Sequence, residues 1–113
     1  MFFALAAGVL WLALTPQPPH AADTGWDKLN HVLAFAALAV AGRFALGPLP
    51  RPGRWVWLAL LPYGMAIELL QTLVPARSAE WSDVLADAVG IAVGLLLAAV
   101  AAGRRRRRGA PLT

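Results

Sequence analysis

The sequence predicts an all-α integral membrane protein, a bundle of four transmembrane helices with both termini in the cytoplasm. Apolar residues make up 59% of the 113 residues and charged residues only 14%, which is too little polar surface for a soluble domain of this size. Four apolar segments follow one another, and the positive charges collect on one side of them. We therefore expect one membrane domain over 1–103 and a basic cytoplasmic tail over 104–113.

The first apolar segment covers about 2–15 and reads FFALAAGVLWLALT. It is short for a span at ~1.5 Å per residue, and prolines follow it. A cleaved signal peptide is the alternative interpretation, with a small-residue site near 20–22. Signal peptides normally carry Lys or Arg before the apolar run, and this segment has neither. We therefore favour a retained anchor.

Three longer apolar segments cover about 29–46, 55–74 and 84–102. Each is close to the ~20 residues that a spanning helix needs. Pro62 lies inside the third segment, where a proline removes a backbone hydrogen bond, so we expect a kink or a loosened turn there.

The distribution of positive charge predicts the orientation. Of the ten Lys and Arg residues, eight lie on one side of the segments, and the positive-inside rule assigns that side to the cytoplasm. The links 16–28 and 75–83 then face outward. A basic run can also indicate nucleic acid, but this one directly follows an apolar helix. We expect the lipid bilayer as the partner and no nucleic acid. The eight cytoplasmic charges are Arg43, Arg51, Arg54 and Arg104–Arg108, and the two outer ones are Lys28 and Arg77.

Polar residues pair along three of the segments, always toward the outer end. Side chains three or four residues apart share a helix face, and a carboxylate in hydrocarbon costs at least ~2.5–3.5 kcal/mol. We therefore expect these groups to face one another in a pocket open to the outside. Gly90 and Gly94 continue the face of the last pair and permit a neighbouring helix to approach closely. The pairs are Asp27 with His31, Glu68 with Gln71, and Asp83 with Asp87.

These residues are the candidates for a functional site. An ionisable side chain within a membrane is a functional candidate by default, but a structural interpretation stands beside each one. His31 could simply pair with Asp27, Asp83 could cap the fourth helix, and Glu68 could be the buried partner of a cation. The candidate acid–base or pocket residues are His31, Glu68, Asp83 and Asp87, and the candidate binding residues are Asp27, Lys28, Gln71 and Arg77.

The sequence identifies no cofactor. The chain contains no cysteine, which excludes disulfides and thiolate metal sites. Carboxylates with one imidazole are possible ligands of a divalent cation, but their spacing matches no known metal-binding signature. The sequence therefore predicts no metal site.

Three short motifs resemble the VanZ-like family over about 26–97. The resemblance implies a small multi-pass protein of the bacterial inner membrane and cell envelope. The name-giving member is associated with resistance to glycopeptide antibiotics such as teicoplanin, and the resemblance raises such resistance as an expectation for this chain. The family usually has Asn at the position of Asp87, and an ionised Asp accepts hydrogen bonds but donates none. The motifs are Asp27-Lys28-x-x-His31-x-x-x-Phe35, Glu68-x-x-Gln71 followed by Arg77, and Ser82-Asp83 with Asp87 and Gly90.

Two classes of function stay open. In the first, the chain is an enzyme or specific binder that acts at the outer leaflet on a lipid-linked or cell-wall component. In the second, it is a non-enzymatic structural or accessory membrane protein whose polar cluster clamps the helices. A proton or ion pathway is a weaker third option, because the polar residues occupy only the outer half of the segments.

Overall fold

The computed structural model describes residues 1–15, 27–47, 49–74 and 80–109, apart from the side chains of 27 and 105–109. Within those ranges the chain forms four α-helices and no strand. The prediction of an all-α chain is therefore confirmed. The helices are α1 (Phe2–Leu14), α2 (Asp27–Ala45), α3 (Pro52–Gln71) and α4 (Trp81–Gly109).

The ends of α3 and α4 follow from local chemistry. Pro52 stands at the start of α3, where its fixed φ suits the first helical turn and its missing N–H would be unpaired anyway. The helix continues through Pro62 to Gln71. α4 runs past the expected end at 102 and includes the arginine run. Arginine is a good helix former, and positive charge is favourable at a helix C-terminus.

The closest helix pair is α2 with α4. A Cβ atom on Gly90 would lie 2.5 Å from the carbonyl oxygen of Val32, and one on Gly94 would collide with the carbonyl oxygen of Ala36. The two backbones therefore touch where α4 has no side chain, which is the close approach that the small-residue spacing predicts.

An apolar core lies between α2, α3 and α4, and α1 packs over it. Tyr63 Oη donates a hydrogen bond to the carbonyl oxygen of Ala6, and Gln71 Nε2 donates one to that of Ala13 at 2.9 Å. These bonds connect α3 to the backbone of α1. The fully buried core residues are Phe35, Leu38, Ala39, Val56, Leu60, Ile67 and Ile91.

One helical stretch in the described part of the chain, Trp81–Arg104 in α4, is long and apolar enough to cross a membrane by its own length and composition. Only 33% of its most apolar window is buried within the chain, so most of it faces outward. Phe2–Leu14 is a shorter apolar helix. α2 and α3 carry the polar candidates near their ends, which lowers their overall apolarity. A bundle of four membrane spans therefore stays a prediction.

Candidate functional site

Four ionisable side chains from three helices meet at one end of the bundle. They come from the first two turns of α2 and α4 and from the last turn of α3. We call them the polar cluster: His31, Glu68, Asp83 and Asp87, which are 9%, 3%, 1% and 0% exposed. The structure therefore brings together the four residues that the sequence suggests for a pocket, while their role stays a prediction.

His31 is the centre of the polar cluster. Its Nδ1 lies 2.7 Å from Asp87 Oδ1, within hydrogen-bond distance. Its Nε2 lies 3.7 Å from Asp83 Oδ2 and 4.0 Å from Glu68 Oε1. When Asp87 is ionised it can only accept, so Nδ1 carries the proton that joins the two. In the neutral ring, Nε2 then presents its lone pair toward the other two carboxylates.

Glu68 is held by one oxygen only. Its Oε2 accepts a hydrogen bond from the backbone N–H of Glu80 at 2.9 Å. Its Oε1 is buried and has no hydrogen-bond partner among the described residues. The bond to Glu80 fixes the carboxylate against the residue that precedes α4 and turns the second oxygen toward His31.

Lys28 bridges the polar cluster to the surface. Its Nζ donates hydrogen bonds to Glu80 Oε2 at 2.9 Å and to Asp83 Oδ1 at 3.1 Å. These bonds, the one to Glu80 first, hold the pKa of Lys28 above its usual value. Hydrogen bonds from Lys28 and Ser82 hold the pKa of Glu80 below its usual value. The side chains of Lys28 and Glu80 are 37% and 58% exposed, so salt screens their pairing.

The four predicted binding residues differ in what the structure shows of them. Lys28 contacts the polar cluster through Asp83. Gln71 is buried, but its amide nitrogen bonds to α1, so its described contact ties two helices together. Asp27 begins α2, yet its side chain lies outside the described residues, as does the whole of Arg77. The described cation partner of Glu80 is Lys28.

The sequence allowed Asp83 to be only a cap of the fourth helix, and its contacts address that interpretation. The residue does lie in the first turn of α4, where a carboxylate complements the helix dipole. Its two oxygens, however, face Lys28 Nζ and His31 Nε2. The side chain therefore connects α4 to α2, in addition to any effect at the helix end.

Gly64 is a site residue that the sequence reasoning missed. A Cβ atom on Gly64 would lie 2.6 Å from Asp87 Oδ2 and 3.2 Å from Phe35 Cζ. The carboxyl group of Asp87 therefore rests against the backbone of α3, in space that only glycine leaves open. A signal was present, because Gly64 is four residues before Glu68 and shares its helix face. Glu80, which binds both Glu68 and Lys28, was also missed as a site residue.

A small cavity leads from the surface to Glu68. Its volume is about 80 Å³, which is room for several water molecules. It lies between the end of α3 and the start of α4, so one member of the polar cluster can be reached from outside the bundle. The lining residues are Glu68, Leu69, Thr72, Glu80 and Trp81.

The polar cluster has the chemistry of an acid–base or cation site. Three carboxylates and an imidazole can accept, hold or transfer protons. His31, Glu68 and Asp83 each offer one ligand atom, and these atoms lie within 4.8 Å of one another. Spacing along the chain cannot reveal such a group, because each residue comes from a different helix.

The fold and the site define a class: a small all-helical protein with a polar cluster buried at one end. The chain belongs to the VanZ/LLP1 family, whose model matches residues 2–102. This confirms the resemblance to the VanZ-like family. Proteins of this family are membrane proteins, which agrees with the apolar stretch Trp81–Arg104. No curated protein and no solved structure matches the chain.

Proposed function

We propose that the chain is a multi-pass protein of the bacterial inner membrane and cell envelope. In this proposal all four helices enter the bilayer, both termini are cytoplasmic, and the polar cluster opens to the outside. There it binds a polar group of a lipid-linked or cell-wall component.

The observation that carries the membrane proposal is the apolar exterior around a buried polar cluster. Water-soluble proteins have the reverse arrangement, and large exposed apolar surfaces indicate a membrane or a partner. On α4 the exposed apolar side chains recur over fifteen residues, which is ~22 Å of helix and much of the ~30 Å hydrocarbon core. They are Leu85, Val89, Val93, Leu96 and Val100, and α3 exposes Leu58, Met65 and Leu69 in the same way.

The charge of the polar cluster limits what it can bind. With a neutral imidazole, its three carboxylates and the ammonium group of Lys28 sum to a net negative charge. Carboxylates accept hydrogen bonds and donate none when ionised. The favoured ligand group is therefore a donor, such as a sugar hydroxyl or an amine. A cavity of about 80 Å³ admits one such group, with the rest of the ligand lying outside it.

Single cysteines test the topology, because the chain itself contains none. Ser82→Cys marks the end of the bundle that holds the polar cluster, and Leu49→Cys marks the link between α2 and α3; both positions are exposed. A membrane-impermeant maleimide should label Ser82→Cys in intact cells and Leu49→Cys only after permeabilisation. The reverse pattern, or labelling of both in intact cells, contradicts the proposed orientation.

Ligand binding is tested with a lipid-linked disaccharide–peptide in nanodiscs, against the same lipid phosphate without the sugar and peptide. Binding to the folded state alone raises the Tm. We expect a rise with the full probe in the wild type and none in Glu68→Gln, with no rise from the lipid phosphate in either. Equal shifts in both proteins would contradict a role for the polar cluster in binding.

The structural clamp is the second candidate function, favoured by the bonds of His31 and Lys28 to α4. Thermal stability in detergent separates the two. Removing one partner of a buried charge pair that holds a fold together costs ~3–5 kcal/mol. Neutralising a group in a binding pocket often leaves stability unchanged or raises it. We expect unchanged or raised thermal stability in His31→Ala, Glu68→Gln and Asp83→Asn. A large loss of stability in all three would favour the clamp.

A further inference from the structure

We propose that His31, Glu68 and Asp83 form a binding site for a divalent transition-metal cation. The site lies in the pocket of the proposed function, but the proposal does not require that a cell-wall component binds there.

The geometry brings three ligand atoms to one point. His31 Nε2 lies 3.7 Å from Asp83 Oδ2 and 4.0 Å from Glu68 Oε1, and one atom of each residue falls within 4.8 Å of the others. Bonds of ~2.0–2.2 Å to a tetrahedral metal place neighbouring ligand atoms ~3.3 Å apart. Small side-chain rotations therefore suffice to bring the three ligand atoms to the spacing that a tetrahedral metal requires. Three protein ligands leave a fourth position for water or another ligand.

An independent observation at Glu68 points to a cation at the same place. The residue is 3% exposed, and its Oε1 is buried without a hydrogen-bond partner in the described part of the chain. Its other oxygen is fixed by the backbone N–H of Glu80. A buried carboxylate oxygen without a donor is costly. A metal bound between Glu68 Oε1 and His31 Nε2 would satisfy it.

His31 is oriented as a metal ligand would be. Its Nδ1 is 2.7 Å from Asp87 Oδ1. Histidines that bind metals usually donate the N–H of the other ring nitrogen to a carboxylate or carbonyl, which sets the tautomer and the ring angle. Here that partner is Asp87, and the lone pair of Nε2 faces Glu68 and Asp83.

The charges favour a divalent ion. With neutral His31, the three carboxylates of the polar cluster, Lys28 and its partner Glu80 sum to −3, and a divalent cation reduces this negative charge to −1. Buried charge without compensation is unfavourable. Mg²⁺ and Ca²⁺ prefer shells made of oxygen, whereas an imidazole ligand suits transition metals and zinc.

Zn²⁺ binding tests the proposal on the full-length chain without an affinity tag. The protein is purified in detergent, stripped with EDTA and titrated with Zn²⁺ in competition with a chromophoric chelator. The chain offers a matched control, because it has only two histidines and His20→Ala removes the one that is not part of the proposed site.

We expect one Zn²⁺ per chain in the wild type and in His20→Ala. The affinity should fall at least ~10-fold in His31→Ala and Glu68→Gln, since the loss of even an outer partner costs ~10–100-fold. Mg²⁺ at the same concentration should not displace Zn²⁺. Loss of binding in His20→Ala, or unchanged binding in Glu68→Gln, overturns the assignment.

If a variant fails to fold, measurements on the wild type alone test the proposed metal site. Co²⁺ in a four-coordinate N/O site gives visible absorption bands that the hexaaqua ion lacks, so their appearance at one equivalent supports the site. A wild type that binds no Zn²⁺ and shows no such bands refutes it. These measurements use no lipid or cell-wall probe, so their outcome is separate from that of the proposed function.

Discussion

Replacing Gly94 by alanine should separate α2 from α4 at the tightest glycine contact among the described residues. The added Cβ would collide with the backbone carbonyl oxygen of Ala36 and lie 2.7 Å from the Cβ of Ala39. Real Cβ contacts essentially never fall below 3.0 Å, and a backbone atom cannot rotate out of the way. α2 and α4 must therefore move apart.

The size of the effect follows from two opposing terms. A shift of about 0.5 Å at a packed contact costs ~1–3 kcal/mol. Alanine is favoured over glycine within a helix by ~0.8–1.0 kcal/mol, which offsets part of this cost. The added Cβ meets two atoms at less than 3.0 Å, one of them in the backbone, so the upper part of that packing cost applies, ~2–3 kcal/mol. We therefore expect a net destabilisation of ~1–2 kcal/mol, or a fall in Tm of ~4–8 °C for each kcal/mol.

The assay is thermal unfolding in one detergent, followed by far-ultraviolet circular dichroism. Gly103→Ala is the matched control, because it lies in the same helix and a Cβ there would meet nothing within 4 Å. It should melt at or above the wild-type Tm. If Gly94→Ala also melts at or above the wild-type Tm, the proposed backbone contact between α2 and α4 is refuted.

Three further predictions concern the end of the bundle that holds the polar cluster. Gly64→Ala places a Cβ 2.6 Å from Asp87 Oδ2, so it should displace that carboxyl group, lower the Tm by overpacking (~1–3 kcal/mol) and weaken Zn²⁺ binding. Gln71→Leu removes the hydrogen bond to α1 and should cost ~0.5–1.5 kcal/mol of unfolding free energy in denaturant titrations. The third prediction is a pH dependence. The Lys28–Glu80 pair stabilises the fold fully between the ordinary pKa values of 4.5 for Glu and 10.5 for Lys. The Glu80 part is lost as the pH falls through its lowered pKa, and the Lys28 part as the pH rises through its raised pKa. Glu80→Gln should therefore lose less Tm than the wild type on acidification.

Each of these has a clear contradicting result. Gly8→Ala, where a Cβ meets nothing within 4 Å, controls for the glycine change, and equal effects of Gly8→Ala and Gly64→Ala would contradict crowding at Asp87. An unchanged unfolding free energy in Gln71→Leu would mean that the Gln71 bond contributes nothing measurable to the packing of α1. If acidification lowers the Tm of Glu80→Gln and of the wild type by the same amount, the Lys28–Glu80 pair contributes nothing measurable to stability.

The polar candidates could be read from the sequence because of a simple energetic constraint. Carboxylates next to long apolar runs are too costly to leave in hydrocarbon, so they had to face inward. Helical spacing then gave the shared faces of Asp83 and Asp87 and the glycine face below them. That reasoning needs only the period of a helix, which is a local property of the chain.

Other features of the site depend on which helices meet and at what height. Gly64 makes room for Asp87 across a helix interface, and Glu80 binds Glu68 through its backbone. Gln71 shares a face with Glu68 by spacing, yet it bonds to α1. Neither residue type nor spacing carries this information.

The sequence by itself determined that the chain is helical, where its four helices lie and which ionisable residues had to be buried, because apolar periodicity and the cost of charge in hydrocarbon act segment by segment. Only the tertiary structure decided that His31 pairs with Asp87, that Glu68 keeps a buried oxygen with no donor among the residues described, and that three ligand atoms from three helices converge. Those facts depend on distances between helices, and such distances are set by how the side chains and glycines of different helices pack together.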